Sequence, residues 1–198
     1  MLNRICSRIT KYLVEHGILR QELLEWCIYW LQKRILTCTV VLIMFLIGWP
    51  LFGADITFFY LLGLLPLRLY LLGYHTKSPY TCAALSITIM LAALLLHDIS
   101  TYVALHIYVV LNIPMSLLLI IYFLKEQNDS LLHLTREELK INNKKAIYTF
   151  CSVSLIGIVM AYIKDSIEYA SACQFGISTV IGSSVYTKWK NQREENRL

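Results

Sequence analysis

Residues 101–124, TYVALHIYVVLNIPMSLLLIIYFL, contain no Asp, Glu, Lys or Arg. A run of this kind is what a helix needs to cross a hydrocarbon core about 30 Å thick, roughly 20 residues at 1.5 Å each. Pro114 lies inside the run beside Asn112 and predicts a kink whose freed carbonyl is satisfied by protein, because no water is available there. His106 is a second polar interruption, expected to bond to a neighbouring helix.

Five further runs of comparable character lie outward from this one, at about 35–52, 56–73, 79–96, 145–163 and 167–186. Pro50 and Pro66 sit near the ends of two of them. The chain has 198 residues, of which 57% are hydrophobic and 16% charged, too apolar for its side chains to be hidden in one small soluble core. The fold class is therefore an all-α integral membrane protein with about six transmembrane helices.

Ahead of the first run, residues 1–34 alternate Arg4, Arg8, Lys11, Arg20, Lys33 and Arg34 with Leu2, Ile5, Ile9, Tyr12 and Leu13 at helical spacing. This predicts an amphipathic helix lying in the membrane interface, broken near Gly17 and resumed through Leu23, Leu24, Trp26, Cys27 and Trp30. A cleaved signal peptide carries its apolar region earlier, so the N-terminus is expected to be retained. The division that follows is 1–34 interfacial, 35–186 membrane-spanning with a basic loop at 125–145, and 187–198 a basic tail.

Orientation follows from the basic residues of the short connections. Seventeen of the 18 Lys and Arg fall in the N-terminal region, the 68–77 turn, the 125–145 loop or the tail, and only Lys164 falls in the alternate turns. Both termini and the 68–77 turn are thus expected on the cytoplasmic face of a multi-pass cell-membrane protein. The net charge of +5 does not point to nucleic acid, since the basic residues are scattered between apolar segments and build no continuous face. The six cysteines, at 6, 27, 38, 82, 151 and 173, show no C-x2-C spacing, which argues against a disulfide framework or a zinc site.

Chemistry gathers between residues 68 and 86. Ser78-Pro79 is a helix start, with Ser78 as N-cap and Pro79 at the first helical position. Cys82 then falls in the first turn, near Lys77, where the positive end of the helix dipole favours a thiolate. His75 precedes it on a short glycine-hinged loop that can fold back onto the cysteine. A nucleophilic Cys with a His base is the minimum for covalent acyl transfer.

Arg68, Gly73, Tyr74, His75, Cys82 and Ser86, in the order Arg-x4-Gly-x-His-x6-Cys-x3-Ser, resemble the AgrB family of membrane peptidases that process Gram-positive quorum-sensing propeptides. The hydropathy of nearly the whole chain resembles it too, with Leu72 standing where many members carry a second glycine. The resemblance implies His75 and Cys82 as the catalytic pair, Arg68, Gly73 and Ser86 in support, and localisation in a Gram-positive cell membrane. It implies an autoinducer propeptide as substrate, with an amphipathic leader, a core holding an internal Cys or Ser, and an acidic tail. Cleavage through a thioester and closure of a thiolactone or lactone need no metal or organic cofactor. Lys77 and, from the 125–145 loop, Lys140, Lys144 and Lys145 are candidates to receive the acidic tail, and Thr135-Arg-Glu-Glu138 reads as the capping box of a short helix in that loop.

Other polar residues have blander readings. His97-Asp98 is a His/carboxylate pair on the membrane face opposite Cys82. Gln174 is expected to bond between helices. Ala172, Gly176, Thr179 and Ser183 form a small-residue face on the last helix, which packs against another helix by default or against a second copy in a homodimer. Ser86 either orients the Cys82 thiol or bonds back to its own helix. The alternative function is a six-helix transporter or export channel without covalent chemistry, which would be expected to show paired repeats, and the sequence has no internal repeat.

Overall fold

The computed structural model describes residues 2–71, 79–126, 136–163 and 166–195. Among them are seven α-helices: α1 (Leu2–Glu15), α2 (Leu24–Phe52), α3 (Ala54–Arg68), α4 (Pro79–Asp98), α5 (Tyr102–Glu126), α6 (Arg136–Ile163) and α7 (Ile167–Glu195), with a 3-10 turn at Gln21–Leu23. The chain forms two compact units, Met1–Met44 and Phe45–Leu198.

In the first unit, α1 is amphipathic. Cys6 and Thr10 are buried, whereas Ile9 and Tyr12 are exposed. The helix stops where expected because Gly17 takes a positive φ of 69°, letting the Gly17 and Ile18 N–H groups bond back to the Val14 and Leu13 carbonyls. That pair of bonds satisfies carbonyls a helix end otherwise leaves orphaned. Trp26 and Trp30 stack, and the Arg34 guanidinium lies 5.1 Å from the Trp30 ring centroid, the amphipathic groups found where a helix meets a headgroup layer. The resumed segment does not end at residue 34, however. It is one helix with the first apolar run, because backbone hydrogen bonding continues across the hydropathy step at Lys33-Arg34.

In the second unit, Gly53 alone separates α2 from α3, with a φ of 90° that favours glycine. The Thr57 hydroxyl donates to the Gly53 carbonyl (2.8 Å), fixing the start of α3. At the centre stands α7, which packs against α3, α4, α5 and α6. Ala170, Ser171, Ala172, Cys173, Gln174, Gly176, Ile177, Val180, Ile181 and Ser184 are all buried, so the helix is covered on nearly every side. Its closest neighbour is α3: a Cβ on Gly63 would overlap the Cys173 carbonyl oxygen, and one on Gly176 would overlap the Tyr60 carbonyl oxygen. The expected small-residue face, at Gly176 and Thr179, is therefore taken up within the chain by α3, with Tyr60 donating to Thr179 Oγ1 (3.1 Å).

Polar side chains tie α7 to its other neighbours. Gln174 donates to Ser154 of α6 (3.1 Å) and accepts from Asn112 of α5 (3.0 Å), while Ser178 donates to Asn112 (3.0 Å) and shares a hydrogen bond with Tyr108 (2.8 Å). His106 departs from expectation: its ring bonds to the Tyr102 carbonyl of its own helix and is exposed. α5 continues through Pro114.

Among the described residues, four helical segments are long and apolar enough to cross a membrane: Gln21–Phe52, Thr81–Asp98, Tyr102–Leu124 and Ile141–Ile163. Their outward faces carry Leu46, Leu95, Leu111, Leu118, Ile121, Leu155 and many other exposed large apolar side chains, far more than a water-facing surface accommodates. The remaining two runs also lie on helices. α3 ends at Arg68, short of the expected residue 73, and has 15 residues. α7 is sheathed by protein and thus tolerates Ser, Thr and Gln where a lipid-facing helix does not; it continues beyond 186 to Glu195.

Candidate functional site

α3 finishes in Pro66-Leu67-Arg68. Leu67 and Leu71 are buried at 0% and 3% exposure, anchoring the turn in which Leu69 N–H bonds to Pro66 and Tyr70 and Leu71 N–H bond to Leu67. A cation in the last helical turn is favoured by the negative end of the dipole, and Arg68 stands there. α4 begins at Pro79, where the missing N–H is no loss. Cys82 is thereby placed in the first turn, half-buried and without a disulfide partner.

Among the described residues, a side-chain contact links the two helix ends. Arg68 Nη2 donates toward Cys82 Sγ at 3.9 Å, so a full positive charge and the N-terminal helix dipole both bear on this sulfur. Ser86, one turn on, donates its hydroxyl to the Cys82 carbonyl (2.9 Å). Of the two readings open for Ser86, the bond back to its own helix is the one observed. Gly73, His75 and Lys77 lie outside the described residues.

Of the basic candidates on α6, Lys144 and Lys145 are exposed, and Lys140 lies two turns or less from the start of the helix. The expected short helix is not a separate element, because α6 runs unbroken from Arg136 to Ile163; Thr135 lies outside the described residues. Two residues of this helix were not singled out from sequence. Asn142 Nδ2 donates to the Tyr70 carbonyl (3.5 Å), and Asn143 Nδ2 donates to the Leu124 carbonyl (3.2 Å). Adjacent Asn residues inside a helix are unfavourable by propensity, which is the signal that points to a tertiary role. These contacts tie the early turns of α6 to the turn that follows α3 and, separately, to the end of α5.

His97 belongs to the other end of α4, about 22 Å along the helix from Cys82 at 1.5 Å per residue. It is buried, with Nε2 at 3.0 Å from Ser171 Oγ and 3.2 Å from the Glu168 carbonyl, and so docks α4 on the start of α7. It also lines, with Asp98, Ser100 and Glu168, a cavity of about 140 Å³. Among the described residues no cluster of three or more His, Cys, Asp and Glu could hold a metal ion.

No curated protein and no solved structure matches the chain. The family model described as accessory gene regulator B matches residues 6–185. The chain therefore belongs to the accessory gene regulator B (AgrB) family of membrane proteins, and that membership implies processing of an autoinducer propeptide.

Proposed function

We propose that the protein is a membrane-embedded cysteine endopeptidase that removes the acidic tail of its propeptide and passes the remaining acyl group on to ring closure. All six apolar runs cross the bilayer in this reading, α3 being completed by the residues that follow it, and both termini and Cys82 face the cytoplasm. The observation that carries it is the Arg68 guanidinium 3.9 Å from Cys82 Sγ at the first turn of α4, within a chain of this family.

Cys82 attacks the carbonyl carbon joining core to tail, with His75 accepting the thiol proton. The C–N bond breaks, His75 returns that proton to the departing amine, and the leader and core remain on Cys82 as a thioester. The internal Cys or Ser of the substrate then attacks the same carbonyl. Its proton is lost to His75, the Cys82 thiolate departs, and a thiolactone or lactone is closed without ATP. Arg68 stabilises the thiolate at the start and at the end of this cycle. Reduced access of water at the interface favours the internal nucleophile over hydrolysis. Lys77, Lys140, Lys144 and Lys145 draw the acidic tail to the same face.

The test is cleavage by Cys82→Ala, by His75→Ala and by the double variant, co-expressed with the propeptide and read by product mass. Each single change should abolish tail removal and the double change should do no further harm, since a nucleophile and its base act as one unit. Tail removal by inserted Cys82→Ala would overturn the reading.

A further inference from the structure

The helix α6 contributes Asn142 and Asn143, consecutive amides that each donate to the carbonyl at the end of a different neighbouring helix. Leu124 is among the last residues of α5, whose final four carbonyls have no partner within the helix. Tyr70 lies two residues past the end of α3. Its own N–H is committed to the Leu67 carbonyl, and its carbonyl accepts from Asn142 Nδ2, which ties the turn to α6. The same turn begins with Arg68.

We infer that Asn142 is a positioning residue for the reactive cysteine: its carboxamide holds the Tyr70 carbonyl, fixes the end of α3, and so keeps the Arg68 guanidinium against the Cys82 sulfur. The inference rests on Cys82 as the nucleophile of the proposed function, and goes beyond it in assigning the geometry of the pair to a third helix. Leu67 and Leu71 pin the turn on its buried side, and Asn142 pins it on the polar side. With both in place the turn is held at two points, and the Arg68 side chain that leaves it meets Cys82. Without the amide, water can take the Tyr70 carbonyl, the turn can rotate, and Arg68 samples positions away from Cys82. A displacement of about 1 Å at a reacting group can lower a rate by roughly a hundredfold.

The experiment reads the thiol itself. The full-length protein in detergent is treated with iodoacetamide at neutral pH, and the Cys82 peptide is followed by mass spectrometry in the parent, Arg68→Ala, Asn142→Ala, Asn142→Asp and the Arg68→Ala/Asn142→Ala double variant. Loss of the charged donor in Arg68→Ala should slow alkylation about tenfold. Asn142→Ala, and Asn142→Asp with the same shape but no N–H donor, should slow it about threefold or more, and the double variant should be no slower than Arg68→Ala alone, as coupled residues require. Asn143→Ala, which frees only the α5 end, should react like the parent. In propeptide cleavage, Asn142→Ala should lower kcat and leave KM unchanged.

Alkylation of the Asn142 variants at the parent's rate would overturn the inference, and so would equal slowing by Asn142→Ala with and without Arg68. Failure of both Asn142 variants to give folded protein would overturn it as well, by assigning the residue to fold maintenance. Because alkylation needs no substrate, these outcomes are independent of whether Cys82→Ala still cleaves the propeptide, which is what decides the proposed function.

Discussion

Gly176→Ala should separate α3 from α7 and weaken the protein at its centre. The added Cβ would overlap the Tyr60 carbonyl oxygen and lie 2.9 Å from the Leu64 nitrogen and 3.2 Å from the Gly63 carbonyl carbon. All three are backbone atoms, so no change of rotamer relieves them and one helix must move against the other. Overpacking of this kind costs about 1–3 kcal/mol, and a gap of 0.5–1 Å elsewhere along the contact forfeits roughly a quarter to a half of each dispersion well. Packing is the main cohesive force between helices in a membrane, so the helix-propensity gain of about 1 kcal/mol for replacing Gly by Ala does not compensate. The expected net loss is about 2 kcal/mol, together with slower cleavage because α3 carries Arg68. Gly182→Ala provides the control on the same helix: nothing lies within 4 Å of its added Cβ, and the change should be neutral or stabilising by up to about 1 kcal/mol. Both variants would be unfolded in mixed detergent and SDS and followed by tryptophan fluorescence. Equal stability of Gly176→Ala and Gly182→Ala would refute the close approach of α3 and α7 as the core of the fold.

The lopsided distribution of Lys and Arg makes a topological prediction: cysteines introduced near Asp98 should be labelled from outside intact cells, and one introduced at position 77 only after permeabilisation, so outside labelling of position 77 would contradict a cytoplasmic active site. The basic start of α6 makes another. Lys140→Ala/Lys144→Ala/Lys145→Ala should weaken cleavage of an acidic-tailed propeptide, more at low salt than above about 0.1 M, where charges farther apart than about 10 Å are screened. A substrate with neutralised tail acids should be poor already and lose little more, and equal losses for both substrates would assign these lysines to topology instead.

Much of the fold was legible because helices exposed to lipid must be apolar over their whole length, so each of the six runs marks a helix. What hydropathy does not report is where backbone hydrogen bonding stops. It placed a boundary at Lys33-Arg34, inside α2, and another at the loop before residue 145, inside α6. It also extended the second run beyond Arg68, since Leu69 to Leu72 are apolar whether or not they are helical. Hydropathy also does not report what covers α7, whose Ser171 and Gln174 are buried against protein and bond to His97, Ser154 and Asn112 of neighbouring helices. At the site, helix-start chemistry at Pro79 was enough to put Cys82 in a first turn, and Arg68 beside it agrees with the motif spacing. Asn142 left only the weak trace of two adjacent Asn residues inside a helix, which does not name its partner, a backbone carbonyl 72 residues away. His106 was misread for the opposite reason: an imidazole can satisfy itself on its own helix, and sequence does not distinguish that from a bond to a neighbour.

The most direct test is the covalent state of Cys82 during turnover. The purified protein would be mixed in lipid nanodiscs with a propeptide whose core Cys or Ser is replaced by Ala, so that the acyl group cannot leave by ring closure. Acid-quenched samples would then be read by intact mass and by mass mapping of the Cys82 peptide. A thioester route gives an adduct with the mass of leader plus core on Cys82, released by hydroxylamine and absent from Cys82→Ala. Tail cleavage of that same substrate with Cys82 unmodified throughout would contradict it.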